Sequence, residues 1–379
     1  MHVLIIASYA PSLLIFRGRL IADILARGHS VSVCAPQIAA DLRLGLTAMG
    51  ADVHELSMAR NTIGISSDLS YLRNLRHLMV QIRPDIVLTY TAKPNIWGTL
   101  AARSASVPSV AMITGLGYAF AAGGSGLKIA LVRALVRRLY GLATRFNRKV
   151  IFQNPDDRDD FIAAGCLRDH AKVAMIDGSG VDLAHYNRTA VVSAPVFLMI
   201  ARLLRGKGVR EYALAARSIR ADYKQARFLL VGPHDGGPDA IAPSELDHWV
   251  ADGILEWRGA LEDVRPALAE AAVYVLPSYR EGTPRSVLEA MAMGRPIITS
   301  DAPGCRETIR DGIEGFLVPA RDANALARAM KRFIEDPGLI ATMGDAAHHR
   351  AVTKYDVRCI NQQMMMHLGL CDQSRSMTC

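Results

Sequence analysis

The sequence predicts an α/β chain folded as two doubly wound, Rossmann-like halves, and three observations lead there. Short apolar runs alternate with helical stretches along all 379 residues, the pattern of a parallel sheet covered on both faces. The runs fall into two series, parted by a polar stretch at Tyr186–Ala194. The length corresponds to two or three domains at about 100–200 residues each.

In the first series, His2–Ser8 (HVLIIAS) is apolar enough for a strand buried on both faces. The helix after it ends at Arg27-Gly28-His29, with Gly28 as the C-terminal cap. Further strands are expected at Ser30–Cys34, Asp85–Thr89, Ser109–Ile113, Val150–Phe152 and Val173–Ile176. The second series has Val196–Ile200, Phe228–Val231, Val273–Leu276, Pro296–Thr299 and Phe316–Val318. This places an N-terminal domain at 1–188 and a C-terminal domain at 189–354. Ligands of such sheets bind beyond the carboxyl ends of the strands, so the cleft between the two domains is the expected active site.

Composition removes several classes. Half the residues are hydrophobic and 21% are charged, which excludes collagen, coiled coil and extended disorder. The six cysteines contain no CxxC pair, which argues against a zinc ribbon or a thioredoxin-like site and fits a cytoplasmic protein. No targeting segment is read at Met1–Ser8. The charge-free stretch Ser104–Leu127 is long enough to span a membrane but carries Pro108 and five glycines, so it reads as strand and loop.

The net charge of +8 is unevenly placed. From Ile86 to Pro155 there is no Asp or Glu, whereas nine cations fall there: Lys93, Arg103, Lys128, Arg133, Arg137, Arg138, Arg145, Arg148 and Lys149. Seven of them lie in Lys128–Lys149, read as one amphipathic helix. A basic amphipathic helix can lie on an anionic membrane, so Lys128, Arg133, Arg137, Arg138 and Arg145 are candidate membrane contacts. The plain alternative is a solvated helix face. Nucleic-acid binding is the rival from another class, but no aromatic platform or recognition motif accompanies the charge.

Chemistry concentrates in Pro277–Pro296, where a strand runs into a helix and two glutamates, Glu281 and Glu289, stand eight positions apart. Amide groups at a helix start near Arg285–Leu288 can hold a diphosphate, and Glu289 one turn further can accept from ribose hydroxyls. Ser286-Val287-Leu288-Glu289 equally matches a capping box, in which Glu289 serves only the helix. Both readings stand on the residues alone.

This segment resembles the E-x7-E region of the retaining glycosyltransferases of family 4, which have the GT-B fold. Ala201–Gly208 (ARLLRGKG) and Ile297–Pro319, with Asp301, Gly304, Glu307, Gly312 and Gly315, resemble the same family. The resemblance implies that Arg202 and Lys207 contact the donor diphosphate. It implies that Glu281 bonds the transferred sugar and Glu289 the donor ribose, with Gly282, Thr283, Pro284, Arg285 and Ser286 completing the donor site. It also implies that the first domain binds the acceptor and the second the nucleotide sugar, and that the chain crosses back to the first domain over 355–379.

Thr89–Gly98 and Ile113–Tyr118 resemble a narrower group that extends polyprenyl-diphosphate-linked oligosaccharides for O-antigen, capsule or glycoprotein assembly. The resemblance implies a UDP-sugar donor, with an N-acetylhexosamine transferred, and a lipid-linked saccharide acceptor at the inner face of the cytoplasmic membrane. Lys93 is then a candidate for the acceptor diphosphate or the reaction centre. A soluble family member with another donor is the alternative. Two departures stand out: Ser8–Ser12 replaces a Gly-Gly loop, and Leu116 stands where many members carry a His, which removes a side-chain base. No cofactor and no metal are expected; Asp157-Arg158-Asp159 mimics a D-x-D motif, but Asn154 and Pro155 before it mark a helix start. His234–Gly237 reads as a polar loop near the donor.

Overall fold

The computed structural model describes residues 1–58, 64–116, 120, 127–192, 194–237 and 239–371, with the side chains of 65 and 127–129 outside that description. The chain divides into two units, Met1–Ser179 with Arg358–Cys379, and Gly180–Val357.

In unit 1 the strands are β1 (His2–Ile6), β2 (Ser30–Ala35), β3 (Asp52–Glu55), β4 (Ile86–Tyr90), β5 (Ser109–Ile113), β6 (Asn147–Phe152) and β7 (Val173–Met175). They form one parallel sheet in the order β3-β2-β1-β4-β5-β6-β7. The helices between them are α1 (Ser12–Ile15), α2 (Gly18–Ala26), α3 (Ala40–Ala48), α4 (Ile65–Ile82), α5 (Thr99–Ser104), α6 (Leu127–Ala143) and α7 (Pro155–Ala163). β4 and β5 are buried along their whole length. That explains their unbroken apolar sequences, because a parallel sheet has helices on both faces.

Unit 2 repeats the plan. Its strands are β8 (Val196–Ile200), β9 (Arg227–Val231), β10 (Glu256–Trp257), β11 (Val273–Leu276), β12 (Ile297–Ser300) and β13 (Gly315–Val318), in the order β10-β9-β8-β11-β12-β13. Helices α8 (Val209–Asp222), α9 (Pro243–Ala251), α10 (Arg265–Glu270), α11 (Arg285–Ala292), α12 (Ala323–Glu335) and α13 (Gly338–Lys354) surround it. In both sheets the order reverses beside the first strand: between β1 and β4, and between β8 and β11. These are the switch points outside which such sheets bind ligands.

All the strands expected from the apolar runs are present. Two more, β3 (DVHE) and β10 (EW), lie at sheet edges, where one side is wet and the sequence is polar. The border between units falls at Ser179–Gly180, upstream of the polar stretch at Tyr186–Ala194. Val181 N–H donates to Tyr355 O (2.8 Å) and Val357 N–H to Val181 O (3.0 Å), so the chain is already tied into unit 2 there. Tyr186 itself is buried in the core of that unit. The helix expected over Lys128–Lys149 ends at Ala143; Arg145 follows it, and Arg148 and Lys149 belong to β6. Gly28 takes the left-handed conformation (φ +78°) that ends α2 at Arg27.

A last helix, α14 (Val357–Leu368), carries the chain back into unit 1. Its Met364, Met365 and Leu368, with Leu370, are buried against Val3, Ile5, Val31 and Val33 of the first sheet. The C-terminal segment is therefore part of the first core. Truncating Leu368 to Ala should cost about 2–5 kcal/mol, the range for a fully buried leucine. Hydrogen exchange should quicken in β1 and β2 and stay unchanged in β8 and β9.

Candidate active site

Two loops define the switch point of the second sheet. After β8, Arg205–Lys207 makes a 3-10 turn that Gly208 closes with φ +78°. A Cβ at 208 would stand 2.2 Å from Pro277 O, so only glycine admits this contact with the loop after β11. Tyr279 N–H donates to Gly206 O at 2.9 Å and seals the approach. The loop after β12 closes from the other side. Glu281 N–H donates to Pro303 O (2.9 Å), and a Cβ on Gly304 would lie 2.1 Å from Glu281 O.

Between these loops Lys207 Nζ meets Glu281 Oε1 at 2.5 Å, and Ser278 Oγ donates to the same oxygen at 2.6 Å. Ser278 is fully buried and the ion pair mostly so. Arg202 is more than half exposed and reaches Asp235 Oδ2 at 2.9 Å. Asp235 belongs to the polar loop at His234–Gly237. Tyr279 is held between Glu211, which accepts its hydroxyl at 2.7 Å, and Arg321, whose guanidinium lies 4.6 Å from the ring centre.

α11 begins at Arg285, with Pro284 as a cap that makes no side-chain bond, so Ser286 is not a capping residue. Its hydroxyl instead accepts from Tyr274 OH at 2.6 Å. The capping-box reading of Glu289 is thereby excluded. Val287 and Leu288 N–H both donate to Pro284 O (3.1 and 3.4 Å), so those two amides are engaged within the turn. Glu289 is buried, pairs with Arg285 at 2.8 Å and accepts from the Tyr186 hydroxyl. Burial pushes its carboxyl above the ordinary carboxylate range against the pull of Arg285 and Tyr186. Burial, with Glu289 adding to it, also pushes the Tyr186 phenol up.

In unit 1, Lys93 follows β4 and its Nζ lies 2.6 Å from Asp68 Oδ1, with both side chains largely buried. Thr91 holds a left-handed φ of +70° and donates to Ser8 Oγ at 2.7 Å, linking the ends of β4 and β1. Arg17 is buried with its guanidinium 5.3 Å from the Tyr90 ring centre. Leu116 is core. Gly117, Tyr118 and the side chain of Lys128 lie outside the described residues. Of the other basic-window residues, Arg133 and Arg137 are half-buried, while Arg138 and Arg145 are exposed. Asp157 is buried at the start of α7, with its N–H bonded to Asn154 Oδ1 at 2.7 Å, as a helix start requires. Among the described residues no group of three or more His, Cys, Asp or Glu side chains is placed to hold a metal ion.

The sequence did not point to Ser278, Asp235, Asp68 or Tyr186. Each is a partner brought from 3 to 103 positions away by the fold, as the pairs with Glu281, Arg202, Lys93 and Glu289 show. Only Asp235, inside a noticed polar loop, carried any signal.

Residues 194–336 match the family described as glycosyl transferases group 1, and residues 17–177 match the glycosyl transferase 4-like domain. The N,N'-diacetylbacillosaminyl-diphospho-undecaprenol alpha-1,3-N-acetylgalactosaminyltransferase of Campylobacter jejuni is 30% identical over 92% of this chain and 93% of its own length. The chain is a family 4 glycosyltransferase. The UDP-Gal:alpha-D-GlcNAc-diphosphoundecaprenol alpha-1,3-galactosyltransferase of Escherichia coli is 28% identical over 74% of each chain. The Anabaena protein HepE, solved in complex with UDP and glucose, superimposes with a TM-score of 0.77 at 21% identity, covering 97% of this chain and 99% of that one. Sucrose-phosphate synthase of Thermosynechococcus elongatus gives 0.79 at 19%, covering 97% and 98%. The fold of this glycosyltransferase is GT-B, and its family is of the retaining class.

Two outcomes follow from these buried charges. Lys93→Met strands Asp68 and should cost about 3–5 kcal/mol in urea unfolding, whereas the double variant with Asp68→Asn should recover most of the loss. The raised pKa of Glu289 means that the folded state holds its proton to higher pH than the unfolded chain. The contribution of this group to stability is therefore full at low pH and falls as pH rises past the ordinary carboxylate range of about 4.3. The stability of Glu289→Gln relative to wild type, read as unfolding midpoints across pH, should accordingly improve as pH rises.

Proposed function

We propose that this glycosyltransferase moves a sugar, an N-acetylhexosamine, from a UDP-sugar to a saccharide on a polyprenyl diphosphate, with retention of configuration. The observation that carries the reading is the Lys207–Glu281 pair at the switch point of the second sheet, with Arg202 on the same loop after β8. The family to which the chain belongs, and the names of its Campylobacter and Escherichia relatives, support the donor and acceptor classes.

In this reading unit 2 binds the donor. Arg202 and Lys207 face its diphosphate, Glu289 accepts from the ribose hydroxyls, Glu281 bonds hydroxyls of the sugar, and the backbone of Gly282–Ser286 lines the remainder. The bond from the sugar's anomeric carbon to the diphosphate oxygen breaks. The acceptor oxygen bonds to that carbon on the same face, and the acceptor proton passes to the departing diphosphate. Negative charge grows on the diphosphate as that bond breaks, so fixed cations lower the barrier. Leu116 offers no proton acceptor, which favours the phosphate oxygen in that role. Unit 1 binds the acceptor, with Lys93 beside its diphosphate. The enzyme works in the cytoplasm, peripherally on the inner face of the membrane, where Arg133, Arg137, Arg138 and Arg145 face the anionic leaflet. No helix among the described residues is long and apolar enough to cross a membrane.

The deciding experiment is turnover of a panel of labelled nucleotide sugars with and without a defined polyprenyl-diphosphate saccharide. Transfer from UDP-N-acetylhexosamine only when the lipid is present is the expected result; turnover confined to a soluble acceptor sinks the lipid assignment. Arg202→Ala and Lys207→Ala should each lower kcat by about a hundredfold or more. Glu289→Gln should weaken UDP binding, whereas Glu281→Ala should lower kcat and leave UDP binding near wild type. Activity should persist in EDTA; rescue by manganese after its loss would contradict the metal-free route.

A further inference from the structure

A groove runs along α6 on the side next to the segment that follows α7. Its volume is about 510 Å³, and it is lined by Arg137, Arg138, Arg145 and Arg168 among small residues, with Leu142 at one edge. Its floor is tight because a Cβ on Gly141 would stand 2.9 Å from Gly165 O, so two backbones touch there. No Asp or Glu is among the described residues that line it.

The charge state of these arginines sets the groove apart. In unit 2 most arginines are matched to acids, among them Arg210 with Glu245, Arg227 with Glu256, Arg258 with Glu270, Arg265 with Asp263 and Arg310 with Glu314. Arg137 leans on the Phe120 ring, with its guanidinium 5.1 Å from the ring centre. Among the described residues, the side chains of Arg138, Arg145 and Arg168 make no hydrogen bond or ion pair. A neighbouring cation is also engaged: Lys172 donates to Arg145 O at 2.6 Å, next to the C-terminal end of α6. Three guanidiniums therefore converge on one groove with their planar donors unused, the arrangement that binds phosphate oxygens in pairs.

The outer face of the same helix is apolar. Leu131, Leu135 and Leu142 are 62%, 44% and 42% exposed, and Phe146 just beyond is 39% exposed. Positions 131, 135, 138 and 142 follow helical spacing, so the leucines and Arg138 form one stripe beside the groove. A free anion in solution gives no reason for that stripe. A bilayer interface does, because it offers hydrocarbon and phosphate side by side.

We propose that the groove receives the phosphate of an anionic phospholipid while Leu131, Leu135 and Leu142 enter the interfacial layer. This rests on the membrane-side reading above and narrows it from a diffuse basic helix to a built headgroup site. That site includes Arg168, which lies outside both the helix and the acid-free window.

The test is sedimentation with vesicles of phosphatidylcholine, with or without phosphatidylglycerol, and needs neither donor nor acceptor. Arg138→Gln, Arg145→Gln and Arg168→Gln should each weaken binding to the anionic vesicles about fivefold, and the triple variant about a hundredfold. This follows from about 1 kcal/mol per cation at an anionic surface, with 1.4 kcal/mol per tenfold. Arg148→Gln removes an exposed cation on β6 outside the groove and should have a much smaller effect. Leu135→Ser should weaken binding to both kinds of vesicle. Equal losses from Arg148→Gln and Arg168→Gln would mean diffuse attraction and overturn the site. So would undiminished binding by the triple variant. Unfolding midpoints equal to wild type show that the variants fold. Transfer to a water-soluble acceptor reports the catalytic reading separately, so either can fail alone.

Discussion

The contact between Lys207 and Glu281 is the constraint on which the switch point of the second unit turns. It joins the loop after β8 to the loop after β11 across the switch point of the second sheet. Two opposite charges can be mostly buried only if each is bonded on more than one side. Ser278 supplies part of that by donating to Glu281. The loops approach closely enough only because positions 208 and 304 lack a Cβ. The local sequence is thus shaped by the pair: glycines where backbones touch, a buried serine under the carboxylate, and a lysine raised on a single 3-10 turn.

Glu289 shows the same economy with a different balance. Its burial disfavours the charged carboxylate, and Arg285 and Tyr186 offset only part of that cost. Lys93 and Asp68 form the counterpart in unit 1, again a nearly buried pair at the end of a central strand. In each unit a buried ion pair stands where the strand order reverses. Thr91, held at a left-handed φ between β4 and the turn that follows, stands beside the pair in unit 1.

Charge is divided between the units in a way that suits two kinds of work. Unit 2 pairs most of its arginines with acids, which keeps its field short-ranged. Unit 1 carries a long window with cations and no acids. The fold then distributes the cations of that window over the helices α5 and α6, the turns after β4 and α6, and the strand β6. Lys149 donates to Ala171 O, and Arg137 packs on an aromatic ring. The cations left exposed are those beside the groove of α6, together with a few on β6 and α5.

The amino-acid sequence by itself determined the two parallel sheets, since strands buried on both faces must be apolar throughout and their rhythm is local. It also determined the E-x7-E segment and the Arg202–Lys207 loop, because residues that share one strand end are close in sequence. The edge strands β3 and β10 were not legible, being half wet and polar. Nor was the border at Gly180, which depends on bonds between Val181 and the chain near Tyr355. Whether Glu289 capped its own helix was open until the fold fixed the start of α11 at Arg285. Asp68 and Tyr186 became partners only through tertiary structure. Burial and charge pairing depend on which strands and helices meet, and no local pattern of residues encodes that meeting.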